Sequence, residues 1–279
     1  MRKITGYLQL LRPKNAVMSA IGSTIGWLAG GCGDLTRYLI VATVPPLVLM
    51  GGNAINDFFD FEIDAINKPY RPIPRGIISR KEALFSYILL SSVAITIALL
   101  LGWIPFLIAV SFSIAWYAYA RTLKAKGLIG NVIVSTGVGF TIIFGYISAS
   151  KGISLLPIIL ALIAFTANLA REIVKTVEDL PGDKKAGLST VPIRFGMETT
   201  KSLTRGLIAI TCLLALIPFL LGLMKLLYLA FSLSSILILI YILVQTDRLS
   251  PETAARYSGL LKVAMALGLL GMLLDLLLR

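Results

Sequence analysis

The sequence predicts an all-α integral membrane protein of nine transmembrane helices in a single polytopic domain. Three observations predict it. Of 279 residues, 57% are hydrophobic and only 14% are charged, too few charges to cover a soluble body of this size. The apolar residues fall in continuous runs close to the ~20 residues that a spanning helix needs, not in the polar–apolar alternation of a membrane barrel. Turn chemistry separates the runs, as in "GGCGD" at 30–34, "GWIP" at 102–105, "SKG" at 150–152 and "RLSPE" at 248–252.

Taken in order, the spans are read at 15–33, 36–57, 82–101, 104–120, 128–149, 153–176, 202–222, 225–245 and 257–278. The first follows Arg2, Lys3, Arg12 and Lys14. That flank resembles a cleavable leader, but the many later spans favour a retained helix. The second and sixth spans end in acidic clusters followed by long polar connections. The fourth and fifth are joined by the basic "RTLKAK" at 121–126, and the remaining connections are short. Of the 26 lysines and arginines, 22 fall on the side that holds the N-terminus. The positive-inside rule therefore puts the N-terminus in the cytoplasm, and an odd number of spans puts the C-terminus outside. A cell-membrane location follows as the expectation.

The net charge of +12 is read as topology signal rather than as a nucleic-acid footprint, and no obligatory protein partner is inferred. The absence of histidine excludes His-based nucleophilic triads and His metal sites. Cys32 and Cys212 sit in apolar stretches and form no framework or metal spacing.

The acids carry the chemistry. Asn53, Asp57, Asp60 and Asp64 are spaced four, three and four apart, and at 100° per residue they share an arc of about 60° on a helix. Asn56 lies at the edge of that arc, and Glu62 points away. Glu172, Thr176, Asp179 and Asp183 repeat the spacing, so the chain reads as two pseudo-repeated halves. "LPGD" at 180–183 is expected to break the second helix and leave Asp183 on a loop. Carboxylates crowded at a membrane boundary repel one another and are poorly solvated. Mg²⁺, a hard cation, suits such oxygen ligands and usually takes one or two carboxylates plus phosphate oxygens. The pair of clusters therefore looks like two metal stations facing a shared diphosphate. Basic residues stand near both: Lys68 and Arg71 after the first, Lys184 after the second, Arg171 and Lys175 on the second helix, and Lys124 in the 121–126 loop. Arginine offers phosphate a fork and lysine a point charge.

"NDFFDFEID" with "NKPYRPIPRG", and then "REIVKTVEDLPGDKKAG", resemble the two signature motifs of the UbiA superfamily of intramembrane prenyltransferases. The resemblance extends to span count and motif placement over nearly the whole chain. It implies a nine-helix bundle around a central cavity and Mg²⁺-dependent transfer of a polyprenyl group from its diphosphate to an acceptor. Carried over residue by residue, it implies that Asn53, Asp57, Asp60 and Asp64 form the first metal–diphosphate cluster. Asp179 and Asp183 would form the second, with Glu172 and Thr176 in support and Asn56, Lys68, Arg71, Lys124 and Lys184 around the diphosphate. Thr176 departs from a pattern that often has an acid there.

Within the superfamily the two stretches look most like archaeal digeranylgeranylglyceryl phosphate synthases. That likeness implies a geranylgeranyl diphosphate donor, a prenylated glyceryl phosphate acceptor and a product that enters membrane lipid. Arg171 and Lys175 fit an acceptor with a phosphate of its own. The alternative within the superfamily is an aromatic prenyltransferase of quinone or chlorophyll biosynthesis. A cation-coupled transporter is the non-enzyme alternative, but its site belongs at mid-membrane, whereas these acids sit at span ends.

Overall fold

The structure is a computed structural model that describes residues 2–31, 33–149, 152 and 154–279. Cys32, Lys151 and the start of the sixth expected span at 153 lie outside the described residues. Twelve α-helices and no strands appear among those described: α1 Arg2–Leu11, α2 Pro13–Ala29, α3 Leu35–Phe59, α4 Phe61–Asn67, α5 Arg80–Leu99, α6 Trp103–Ala118, α7 Leu128–Ala149, α8 Leu155–Glu178, α9 Leu180–Lys185, α10 Val191–Leu220, α11 Leu226–Gln245 and α12 Pro251–Leu277. Among the described residues eight helical segments are long and apolar enough to cross a membrane, α6 and α11 being counted with the turns that continue them to Lys126 and Arg248. The ninth expected span is α2, which at 17 residues rises only about 25 Å.

Local sequence fixes the helix ends. Asp34 caps α3 by accepting the Arg37 N–H at 2.9 Å. Ser79 and Glu82 close a reciprocal capping box at the start of α5. Gly102, with φ of 119°, supplies the turn between α5 and α6 that a side chain would strain. Pro45 and Pro46 lie inside α3, where each removes a ladder bond; neighbouring helices make that tolerable in a membrane bundle.

Without a hydrophobic drive between helices in lipid, close approach depends on small residues. Gly22, Gly26 and Gly30 form such a stripe on α2 against α7. A Cβ on Gly26 would stand 1.9 Å from the Ile142 carbonyl oxygen, and one on Gly145 would stand 2.0 Å from that of Ser23. The outer face is apolar, with Leu100, Trp103, Leu213 and Leu237 all exposed, as lipid contact requires. The most enclosed of the eight spans is α8, packed among α7, α10 and α12. The helix that carries the second acidic cluster is thus the bundle's central one.

Two expectations change in the fold. A separate helix, α1, precedes the first span, which begins at Pro13 rather than 15 and ends at Ala29 rather than 33. The 121–126 segment is no open loop: Tyr119–Leu123 winds as a π-helix and Lys124–Lys126 as a 3₁₀ turn.

Candidate active site

A cavity of about 1010 Å³ lies inside the bundle, walled by α2, α3, α6, α7, α8 and α12 and reached by residues of α1, α4 and α9. Both acidic clusters stand at it. α3 ends at Asp60, whose backbone (φ −78°, ψ 1°) turns the chain into α4. α8 ends at Asp179, whose nearly identical backbone (φ −83°, ψ −2°) turns the chain into α9. Each short helix then presents one acid a turn later, Asp64 and Asp183. Asp183 therefore lies on a helix and not on a loop. Pro181 falls in the first turn of α9, where its missing N–H costs no intrahelical bond.

The first cluster is buried and cross-linked. Asp57, Asp60 and Asp64 are at most 4% exposed. Arg71, folding back from the connection after α4, bonds Asp64 and reaches Asp57 at 3.1 Å. Arg12 bonds Asp57 and donates to Asn53 at 3.2 Å. Lys124, carried in by the π-turn, bonds Asp60, which also accepts from Asn56 Nδ2 at 2.7 Å. Lys68 crosses to the second cluster and meets Asp179 at 2.9 Å.

Asp183 is the exception. It is 7% exposed, and among the described residues no base or side-chain donor bonds it. Burial, reinforced by the charge of Asp179 and opposed by Lys124 and Lys68, pushes its carboxyl up to about 6. Burial likewise raises Asp64 above the usual carboxylate range, against the pull of Arg71.

Several expected residues take other places. Asp57 is not on the cavity wall; it lies behind it, anchoring Arg12 and Arg71. Lys184 is exposed and does not line the cavity, because α9 turns it away from the acids. Thr176 lines the cavity, with its hydroxyl given to the Ile173 carbonyl of its own helix at 2.7 Å. Arg12, in sequence a topology signal like its basic neighbours, is the one non-glycine residue with positive φ (52°) among those described. Its left-handed backbone joins α1 to α2 and aims the guanidinium at the first cluster.

A second group of charges lines the cavity further along α8. Arg171 pairs with Glu172 at 2.7 Å, and Lys175 stands 3.9 Å from the same carboxylate. Lys262, from α12, joins them at the cavity wall. The Nε of Arg171 is buried with no hydrogen-bond partner among the described residues.

The two poles differ in electrical character. Arg12, Lys68, Arg71 and Lys124 face Asp57, Asp60, Asp64, Asp179 and Asp183, so the acidic pole carries one negative charge more than it balances. Arg171, Lys175 and Lys262 face one acid of the cavity wall, Glu172, and the exposed Glu178 also acts on Lys262 from outside it; three bases against two acids leave that pole net positive. A polyanion is repelled at the first pole unless a cation joins it, and attracted at the second outright.

The acidic pole fits a hard divalent cation. Its donors are carboxylate and amide oxygens, and among the described residues Asp183 has no ion-pair partner and the buried Oδ1 of Asn56 has no hydrogen-bond partner. The carboxylates do not already converge on a point; among the described residues no three acids are grouped as a metal nest.

Residues 16–274 match the UbiA prenyltransferase family. A digeranylgeranylglyceryl phosphate synthase of Korarchaeum cryptofilum is 48% identical over 278 residues, 99% of this chain and 98% of that protein. A solved structure from work on digeranylgeranylglyceryl phosphate synthase in membranes superposes with a TM-score of 0.80 at 32% identity, over 100% of both chains. A UbiA homolog from Archaeoglobus fulgidus, solved bound to GPP and Mg²⁺, superposes with a TM-score of 0.72 at 22% identity, over 96% of this chain and 99% of that one, a likeness of fold. Family match, near-full-length relatives and an apolar bundle whose cavity is lined by both acidic clusters agree: the chain belongs to the UbiA prenyltransferase family and is a multi-pass membrane prenyltransferase.

Proposed function

We propose that the enzyme transfers a geranylgeranyl group from geranylgeranyl diphosphate to the sn-2 hydroxyl of geranylgeranylglyceryl phosphate, forming the second ether bond of an archaeal lipid. The observation that carries this reading is the division of the cavity into an acidic pole and a separate basic pole. A donor diphosphate suits the first with cations, and an acceptor phosphate suits the second without them. An aromatic acid or quinone precursor has less use for three bases around one carboxylate.

In this reading Asp60, Asp64, Asp179, Asp183 and the free oxygen of Asn56 hold Mg²⁺, which would neutralise charge on the departing diphosphate. The chain's own bases do the rest. Lys68, Arg71 and Lys124, now bonded to acids, exchange part of that pairing for diphosphate oxygens. Their fixed charges stabilise the negative charge that develops as the allylic C–O bond breaks. The acceptor hydroxyl oxygen forms the new C–O bond, and its proton leaves to the diphosphate or to a carboxylate of the acidic pole. Apolar and aromatic walls, including Phe112, Trp116 and Phe140, keep water from the allylic cation. The charge bias of the connections puts the acidic pole and the N-terminus on the cytoplasmic side of the cell membrane.

The test is turnover of purified protein with Mg²⁺ and labelled geranylgeranyl diphosphate, offered either geranylgeranylglyceryl phosphate or 4-hydroxybenzoate. The reading predicts product with the glyceryl phosphate only. Product with the aromatic acid alone would overturn it.

A further inference from the structure

We infer that Lys262 is a specificity-determining residue that makes the basic pole a receptor for a phosphate monoester and lets the enzyme reject the same acceptor without its phosphate. The inference rests on the reading of the basic pole as the acceptor's phosphate site and adds to it a residue from another helix.

Three observations carry it. Lys262, Met265, Ala266 and Leu269 form one stripe of α12 along the cavity, so the ammonium tops an apolar strip suited to a lipid chain. α12 packs on α8, and the charges acting on Lys262 are those of Arg171, Glu172 and Glu178. Finally, Glu172 is already shared by Arg171 and Lys175; Lys262 makes no ion pair of its own within 4.0 Å among the described residues. Its charge is therefore spare, as is the buried Nε of Arg171. A tetrahedral dianion with three free oxygens can take both, and an uncharged hydroxyl can take neither with comparable gain. An anionic lipid headgroup has the same chemistry, so the test must separate the two sources.

The experiment compares Lys262→Gln and Lys262→Arg with the unmodified enzyme in phospholipid-free detergent and again in vesicles of anionic lipid. Each is assayed with geranylgeranylglyceryl phosphate and with the dephosphorylated geranylgeranylglycerol. Lys262→Gln should raise the KM of the phosphorylated acceptor about tenfold in detergent and leave the donor KM unchanged. Its preference over the dephosphorylated acceptor should collapse by the same factor, and Lys262→Arg should restore most of it. An unchanged preference in Lys262→Gln would overturn the inference, and an effect seen only in anionic vesicles would assign the charge to a headgroup instead. If the unmodified enzyme makes no product from either acceptor, the proposed function itself fails, a result distinct from both.

Discussion

Asp183 differs from the other acids of the cavity in forming no ion pair among the described residues; Lys124 and Lys68 act on it only from a distance. With a carboxyl raised to about 6 from 3.8, the folded protein holds a proton that the unfolded chain releases across that window. Without metal, stability therefore falls as pH rises from about 4 to about 6. Metal held at Asp183, as proposed, would reverse the preference, because it binds the carboxylate and not the acid. Apparent Mg²⁺ affinity should thus rise about tenfold per unit up to pH 6 and level off above it. Titrating Mg²⁺ between pH 5 and 8 checks this; a flat profile would remove Asp183 from the cation's ligands. Asp57 illustrates the opposite condition. Doubly bridged by arginines, it orients them from behind the wall, a place that helical periodicity could not distinguish from that of its neighbours.

At the scale of elements, the site depends on two junctions and one close helix crossing. Asp60 and Asp179 have similar backbones, but Gly30 and Leu221 share them; this is the ordinary conformation of a helix end. The clustering of the acids was legible from their spacing, but one helical face holds only as far as Asp60 and Asp179, because a junction at each hands Asp64 and Asp183 to a separate short helix. The bases that answer them were harder to read. Arg12 meets Asp57 across 45 residues of sequence and Lys124 meets Asp60 across 64; pairing at such range is settled by tertiary packing. The π-turn that delivers Lys124 has no composition of its own, although such turns concentrate at functional sites. Lys262 was hidden for a related reason: one basic residue near the end of a span reads as topology until α12 is seen against α8. α2 and α7 both wall the cavity and cross with backbone nearly in contact at Gly26 and Gly145. Gly26→Ala puts a methyl against backbone that cannot yield. It should cost about 1–3 kcal/mol, seen as a lower melting temperature in detergent. A variant that melts with the parent would mean that the crossing is looser than described.

At the scale of the whole molecule, the spans other than α2 were legible from hydropathy because lipid demands long unbroken apolar helices. The amphipathic α1 and the shortness of α2 were not, since basic flank and apolar run merge in composition. The count still bears on topology. With α2 crossing, the spans are odd in number and the termini lie on opposite sides; without it they share a side. A reporter fused after Arg279 should therefore face outward, and an inward-facing one would show that α2 does not cross.

The central claim is that one cavity holds two anions by different means, the first through cations and the second through fixed bases. Calorimetric binding of a non-ionising analogue of geranylgeranyl diphosphate and of geranylgeranylglyceryl phosphate, each in Mg²⁺ and in chelator, tests it most directly. The account predicts that chelation weakens the donor analogue at least tenfold, that Asp60→Asn does the same with Mg²⁺ present, and that acceptor affinity stays within about twofold. Donor binding as tight in chelator as in Mg²⁺ would contradict it.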